Sequence, residues 1–402
     1  MTNTIKPNRN KGTFSTAGSS SKKSDKPLIR FCFEGDFSSP TASGRFAREL
    51  ALAARGVELP LSITERKTYL HSKDFPLPDF FKKIADRPFF GGIRVVCFPA
   101  FNLPEKVDKG RYWAISAFDP YFDDPNNIRK PAKPGMIWLP SKAHLNACQK
   151  AGMPTARCRL LIPPVNTRIF HPRVPHHKML AEFDEFLFIA VVSPLRRKGA
   201  DLILRAFIEE FKASEPVRLI IKLTHLPKLK KSFKHEISDF GKRLGALNRM
   251  FPPVTVIAQI LEERELAALL AGCQAFVSAN RGYQTALATR EAMAAGLPLI
   301  APDALFEILE IDETFGYSVK TCRQTVSKDL LFPNSPEGVI REVDIAHLRR
   351  QMREAFSHPA SARKKGLTAH QRQKNMPSWK DAVQELVSAS NEPESANGKS
   401  QK

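Results

Sequence analysis

The stretch that most constrains this chain lies between residues 253 and 303. An apolar, β-branched run over 254–258 is followed by a short amphipathic helix carrying Leu266, Leu269, Leu270 and Cys273 on one face. A second buried strand is predicted over 275–278. A polar loop over 279–285 then leads into a helix bearing Glu291, Ala292 and Met293. Gly296 stands where a helix C′ glycine belongs, Pro298 prevents continuation, and residues 297–301 read as a third strand. Strand and helix alternating in this way build a parallel sheet, in which ligands sit beyond the carboxyl ends of the strands. The 279–285 loop is such an end.

The same grammar recurs on both sides. Upstream, a strand over 186–192 runs into the basic loop 193–199. A helix over 201–212 follows, with Ile203, Phe207 and Phe211 on one stripe, then a strand over 217–223 and a basic helical stretch over 228–249. Nearer the N-terminus, a strand over 27–33 is followed by a small-residue loop over 34–44, a helix over 45–55 ended by Gly56, and a strand over 57–61. Further strands are predicted over 93–98, 113–116, 136–140 and 159–162, with Ser141 as N-cap of a helix over 142–151. Residues 165–182, with their spaced prolines and His171, His176 and His177, read as a connector. Beyond residue 303 the order loosens through the acidic stretch 307–313, before helices over 347–357, 361–374 and 379–387. The expected fold is α/β: two facing Rossmann-like, doubly wound domains. The expected divisions are a basic, disordered leader over 1–26, a first domain over 27–170, a second over 171–375, a closing helix over 376–390 and a disordered tail over 391–402.

A chain of 402 residues with 42% hydrophobic content supports two such cores, and no apolar run reaches membrane-spanning length. The polar leader has no signal-peptide core, so a cytoplasmic location is expected. The six cysteines form no CxxC pair and are read as packing residues. Asp123-Asp124 reads as a solvated turn. His176-His177 lacks carboxylates or thiols at ligand spacing, so no metal is expected. The net charge of +21 is the unusual property, and it favours a polyanionic partner: nucleic acid, anionic lipid or a phosphorylated substrate. No nucleic-acid-binding module and no basic-aromatic platform accompanies it, so nucleic acid is not the expected partner.

Three groups carry chemistry. Arg196, Arg197 and Lys198 follow a strand end, where their charges can neutralise a diphosphate. Glu291 lies beyond another strand end and can accept hydrogen bonds from adjacent ribose hydroxyls. The backbone amides around Thr285, Ala286 and Leu287, at a helix N-terminus, can bind a phosphate. Together they describe a nucleotide-diphosphate pocket. The small-residue loop with Gly35, Ser43 and Gly44 offers similar amides on the first domain.

The segments WLPSKAHLNACQKAGMPTARCRLLIPPVNTRIFHP, RRKGADLILRAF and TREAMAAGLPLIA, then HLRRQMREAF and the late Ser378-Trp379, occur in this order. Through them the chain resembles the retaining GT-B glycosyltransferases of family 4, glycosyl transferases group 1, over most of residues 28–390. The resemblance implies transfer of a sugar from a nucleotide-sugar donor to a glycan or lipid-linked acceptor, with retention and without cofactor or metal. It makes 27–170 the acceptor side and 171–375 the donor domain, and has the last helix cross back onto the first domain. It implies that Arg197 and Lys198 hold the diphosphate, that Glu291 holds the ribose, and that the 35–44 loop faces the donor across the cleft. The catalytic set it implies is Arg197, Lys198 and Tyr283.

The chain also departs from that family. Its two motif glutamates are separated by seven residues, and Tyr283 stands at the first position and Glu291 at the second. Gln284, Thr285 and Ala286 replace the glycines that follow the first glutamate. Ser193 replaces an arginine, Asn166 an aspartate, and His71 is the candidate for the family's histidine. Two alternatives stand beside this reading: a relative without activity that serves as a binding or assembly partner, which these changes favour, and a basic nucleic-acid-binding protein, which the net charge favours. The basic 228–249 helix and the Lys-rich leader imply peripheral contact with an anionic membrane face.

Overall fold

The computed structural model describes residues 29–66, 75, 77–85, 87, 89, 91–97, 111–116, 135–193, 196–224, 250–282, 285–326 and 338–392. The leader over 1–26, His71, Asp123-Asp124, the basic stretch 228–249 and the tail beyond 392 lie outside these residues.

Two six-stranded parallel sheets form the frame. In the front sheet, β1 (Phe31–Gly35), β2 (Leu61–Glu65), β3 (Ile93–Cys97), β4 (Arg111–Ile115), β5 (Met136–Leu139) and β6 (Cys158–Leu160) take the order β2-β1-β3-β4-β5-β6. In the rear sheet, β7 (Phe186–Val192), β8 (Val217–Leu223), β9 (Val254–Ile257), β10 (Ala275–Val277), β11 (Leu299–Pro302) and β12 (Gly316–Val319) take the order β12-β11-β10-β7-β8-β9. The order reverses at β1/β3 in front and at β7/β10 behind. Those reversals open a crevice at the carboxyl ends of the strands.

The central strands are mostly apolar because both faces are covered. Along β7, Phe188, Ala190 and Val192 enter one core while Leu187 and Ile189 enter the other. In the front unit, α1 (Ala42–Gly56) starts at the N-cap Thr41, whose side chain accepts from the Gly44 amide, and buries Phe46, Ala47, Leu50, Ala51 and Ala54. The last helix, α10 (Trp379–Asn391), opens with a capping box between Ser378 and Asp381. It leaves the rear unit and buries Trp379, Val383 and Leu386 in the front core, the Trp379 ring lying edge-on to Phe46 at 5.0 Å. Ser141 caps α3 (Lys142–Lys150), its side chain accepting from the His144 amide.

Two sequence expectations are corrected. The second strand begins at Leu61 and does not occupy 57–61. The amides of Val57, Glu58 and Leu59 turn back onto the carbonyls of Ala54 and Arg55, so these residues close α1. The described residues after 303 form regular elements. These include α7 (Asp303–Leu309), which buries Leu305, Phe306, Ile308 and Leu309, then β12, then an antiparallel ribbon of β13 (Thr321–Val326) and β14 (Gly338–Val343). The acidic residues on the outer side of α7 mask an apolar inner side in the sequence. Between them and α10 lie α8 (Ile345–Ser357) and α9 (Pro359–Lys374). No helix among the described residues is long and apolar enough to cross a membrane.

Candidate active site

The rear half of the crevice is built where β7 and β10 end side by side. Arg196–Lys198 form a single 3-10 turn after β7. Gly199 follows with φ 65°, then α4 (Ala200–Glu210). A Cβ on Gly199 would lie 1.9 Å from the Ala279 carbonyl oxygen, so only glycine allows the two loops this approach. The Arg281 amide donates to the Arg197 carbonyl at 2.8 Å, and Arg197 Nη1 donates to the Gly282 carbonyl at 3.2 Å. Arg281 itself is 4% exposed. Its guanidinium meets both oxygens of Asp201 at 2.9 Å, and both oxygens of Glu342 at 2.7 and 2.9 Å. It also reaches the Arg196 carbonyl at 2.6 Å. Burial alone would depress this guanidinium's pKa, but the hydrogen bonds it donates to Asp201 and Glu342 outweigh burial and keep it protonated. Arg281 therefore locks the cationic turn to the neighbouring loop.

Within that turn Arg196 is exposed, Arg197 buried and Lys198 half-buried. Lys222, one residue from the end of β8, is also buried, and its Nζ donates to the Leu223 carbonyl. Burial, with Arg45 nearby, lowers its pKa to about 8. Tyr283 and Gln284 lie outside the described residues. Thr285 and Ala286 lead into α6 (Leu287–Ala294), with Ala286 at φ 52° as its N-cap. Asn166 shapes the connector: its side chain accepts from the Arg168 amide, and its carbonyl from Ile169 and Phe170.

Glu291 sits on the buried side of α6 and is 2% exposed. Its partner is Arg45 of α1, in the front unit, whose Nη2 donates to Glu291 Oε2 at 2.9 Å. Burial pushes the Glu291 pKa up to about 7. Arg45 pulls it down, and Glu263 and Glu49 push it further up. Glu49 is raised to about 7 as well, by burial first and by Glu263 second. The sequence-derived residues thus fall into two groups. Arg196 and Arg197 are tied to the loop after β10, with Lys198 in the same turn, while Glu291 is paired with the front unit.

The front half is the loop after β1, whose Ser38 amide donates to Glu65 Oε1, at the end of β2, at 3.0 Å. Gly35 ends β1, with a Cβ position 3.1 Å from the Ala47 Cβ. A Cβ on Gly44 would lie 2.3 Å from the Ser39 carbonyl oxygen and 2.6 Å from that of Asp36. Arg48 Nη1 donates to the carbonyls of Phe37 and Ser39, each at 2.7 Å. Hydroxyls of Ser39, Thr41 and Ser43 are hydrogen-bonded in a row at 2.8 and 3.0 Å.

Sequence reasoning missed Arg45, Lys222 and Arg281. A lysine near the end of the apolar run VRLIIKL, and an arginine in the small-residue loop after β10, were visible signals for the last two. Arg45 gave none, since its partner lies 246 positions away.

Residues 184–328 match the family described as glycosyl transferases group 1. The matched stretch contains the cationic turn, Lys222, Arg281 and Glu291. No curated protein matches the chain. Among solved structures, sucrose-phosphate synthase from Thermosynechococcus elongatus superposes with a TM-score of 0.64 at 15% identity, over 90% of this chain and 98% of that one. HepE from Anabaena, in complex with UDP-glucose, gives 0.60 at 10% identity over 90% and 99%. WaaG, a glycosyltransferase involved in lipopolysaccharide biosynthesis, gives 0.57 at 12% identity over 90% and 100%. The likeness extends over both sheets and places the chain in the GT-B fold.

Proposed function

We propose that this chain is a glycosyltransferase that moves a sugar from a nucleotide-diphosphate-sugar donor to an acceptor. The observation that carries this is the group 1 match over 184–328, which coincides with a cationic turn held at the sheet's switch point. In this reading Arg197 and Lys198 stabilise the charge that gathers on the departing nucleotide diphosphate, in a site already organised by Arg281. The amides entering α6 bind phosphate, and Glu291 accepts the ribose hydroxyls. The 35–44 loop closes the donor from the front, excluding water. Transfer proceeds with retention, as in family 4, to a glycan or lipid-linked acceptor. That HepE binds UDP-glucose, and that WaaG acts in lipopolysaccharide biosynthesis, agrees with a nucleotide-sugar donor and a saccharide acceptor.

The test is equilibrium binding to a panel of nucleotide sugars. At least one binds, Glu291→Ala weakens it, and Lys198→Ala weakens the corresponding nucleotide diphosphate. Unchanged affinity in both variants removes the site. A second reading, a binding or assembly partner without activity, is favoured by Tyr283 at the first motif position. Transfer by the unmodified chain excludes it, and activity appearing only in Tyr283→Glu supports it. Peripheral membrane contact through the basic segments is a separate proposal. Flotation on anionic but not neutral vesicles supports it, and equal binding to both removes it.

A further inference from the structure

Arg45 has no place in the reading above, yet it is the group that touches Glu291. It reaches from α1 into the rear unit and donates Nη2 to Glu291 Oε2 at 2.9 Å, leaving its Nε buried without an acceptor. An oxygen of a bound ligand would satisfy that donor. The charged groups around the pair come from several elements. Glu49 and Arg48 share α1 with Arg45, Glu263 opens α5 (Glu263–Ala271), and Lys222 lies one residue before the end of β8. Three carboxylates, Glu49, Glu263 and Glu291, thus bear on one another in this space. A carboxylate accepts from two ribose hydroxyls only while ionised, because the acid form gives up an acceptor site and becomes a donor. Burial and the two neighbouring carboxylates oppose that ionisation, and Arg45 favours it.

We propose that Arg45 is a positioning residue of the donor site: reaching across from the front unit, it holds Glu291 charged and oriented to accept the ribose hydroxyls. This rests on the nucleotide-sugar reading. It goes further by dividing ribose recognition between the two units, so that preference for ribose over 2′-deoxyribose exists only when they meet. The Arg45 guanidinium touches the acid that grips the sugar, and its spare Nε faces whatever oxygen the nucleotide brings.

The experiment measures binding of UDP, ADP and GDP, each beside its 2′-deoxy counterpart, from about pH 6 to about pH 9. The unmodified chain prefers the ribonucleotide. Arg45→Met loses roughly tenfold in ribonucleotide affinity near neutral pH and regains it about one pH unit higher, because Glu291 then ionises later. Arg45→Lys, which keeps the charge, recovers most of the preference. A merely structural role for Arg45 would lower affinity without moving the pH midpoint. If Arg45→Met keeps the ribose preference and the midpoint while Glu291→Gln abolishes the preference, Arg45 has no such role and the functional reading stands. A lysine variant as poor as the methionine one also overturns it. If no nucleotide binds the unmodified chain, the functional reading fails and this inference with it.

Discussion

The loop after β1 and the loop after β7 occupy equivalent places in their sheets, yet they are stabilised in opposite ways. The front loop is closed mostly by its own neighbours: Gly44 against Ser39 and Asp36, Arg48 on two loop carbonyls, and a row of hydroxyls, with one tie from the Ser38 amide to Glu65 at the end of β2. The rear loop is closed by distant ones: Gly199 against Ala279, and Arg281 against Asp201, Glu342 and the Arg196 carbonyl. A loop tied to its neighbouring strand's loop is held in place before any ligand arrives, which suits fixed cations. A loop held mainly by nearby hydrogen bonds is freer to adjust, which suits the moving side of a crevice.

The sharpest way to break this contrast is Gly199→Ala. Its left-handed backbone costs about 1–2 kcal/mol for a residue with a Cβ. The contact with Ala279 adds about 1–3 kcal/mol more. Urea unfolding should show the loss, together with weaker nucleotide-diphosphate binding. Arg281→Met comes next, at about 3 kcal/mol, because it strips Asp201 and Glu342 of their partner and frees the cationic turn. Gly44→Ala should cost less, about 2 kcal/mol, since Gly44 lacks the left-handed backbone of Gly199 and only the crowding remains. A cost equal to that of Gly199→Ala would erase the distinction. Thr41→Ala removes an N-cap and the middle hydroxyl of the row, and should cost about 1 kcal/mol.

The smallest expected effect is on the pH dependence of stability. Glu291 and Glu49 have folded-state pKa values near 7, above the usual carboxylate value, so the folded chain holds more protons than the unfolded one between those limits. The stability this brings is full at acidic pH and is lost as pH rises through about 7. Melting curves should flatten with pH in the Glu49→Gln, Glu291→Gln double variant. An unchanged slope would show that front and rear do not share a buried acidic cluster.

Much of the frame was legible locally. The strands over 186–192 and 217–223 match β7 and β8 end for end, because continuous apolar runs bounded by polar loops admit few alternatives. Ser141 was legible as a cap, and Gly296 as a helix end, with φ 86° and its amide on the Met293 carbonyl. The β13/β14 ribbon was not legible, since β13 is mostly exposed and polar and β14 buries only Ile340 and Val343. Nor was the β2 boundary, which depends on how many residues α1 uses in closing.

The sequence by itself determined that the chain alternates strand and helix, that the strands are buried on both faces, and that cations and an acid follow strand ends. Those properties arise from neighbours along the chain, where periodicity and caps act. Only the tertiary structure decided which charges meet. Arg281 gathers carboxylates from α4 and β14, and Arg45 finds Glu291 in the other unit. In a buried setting a charge is governed by what lies within a few ångströms, and sequence spacing carries no information about that distance.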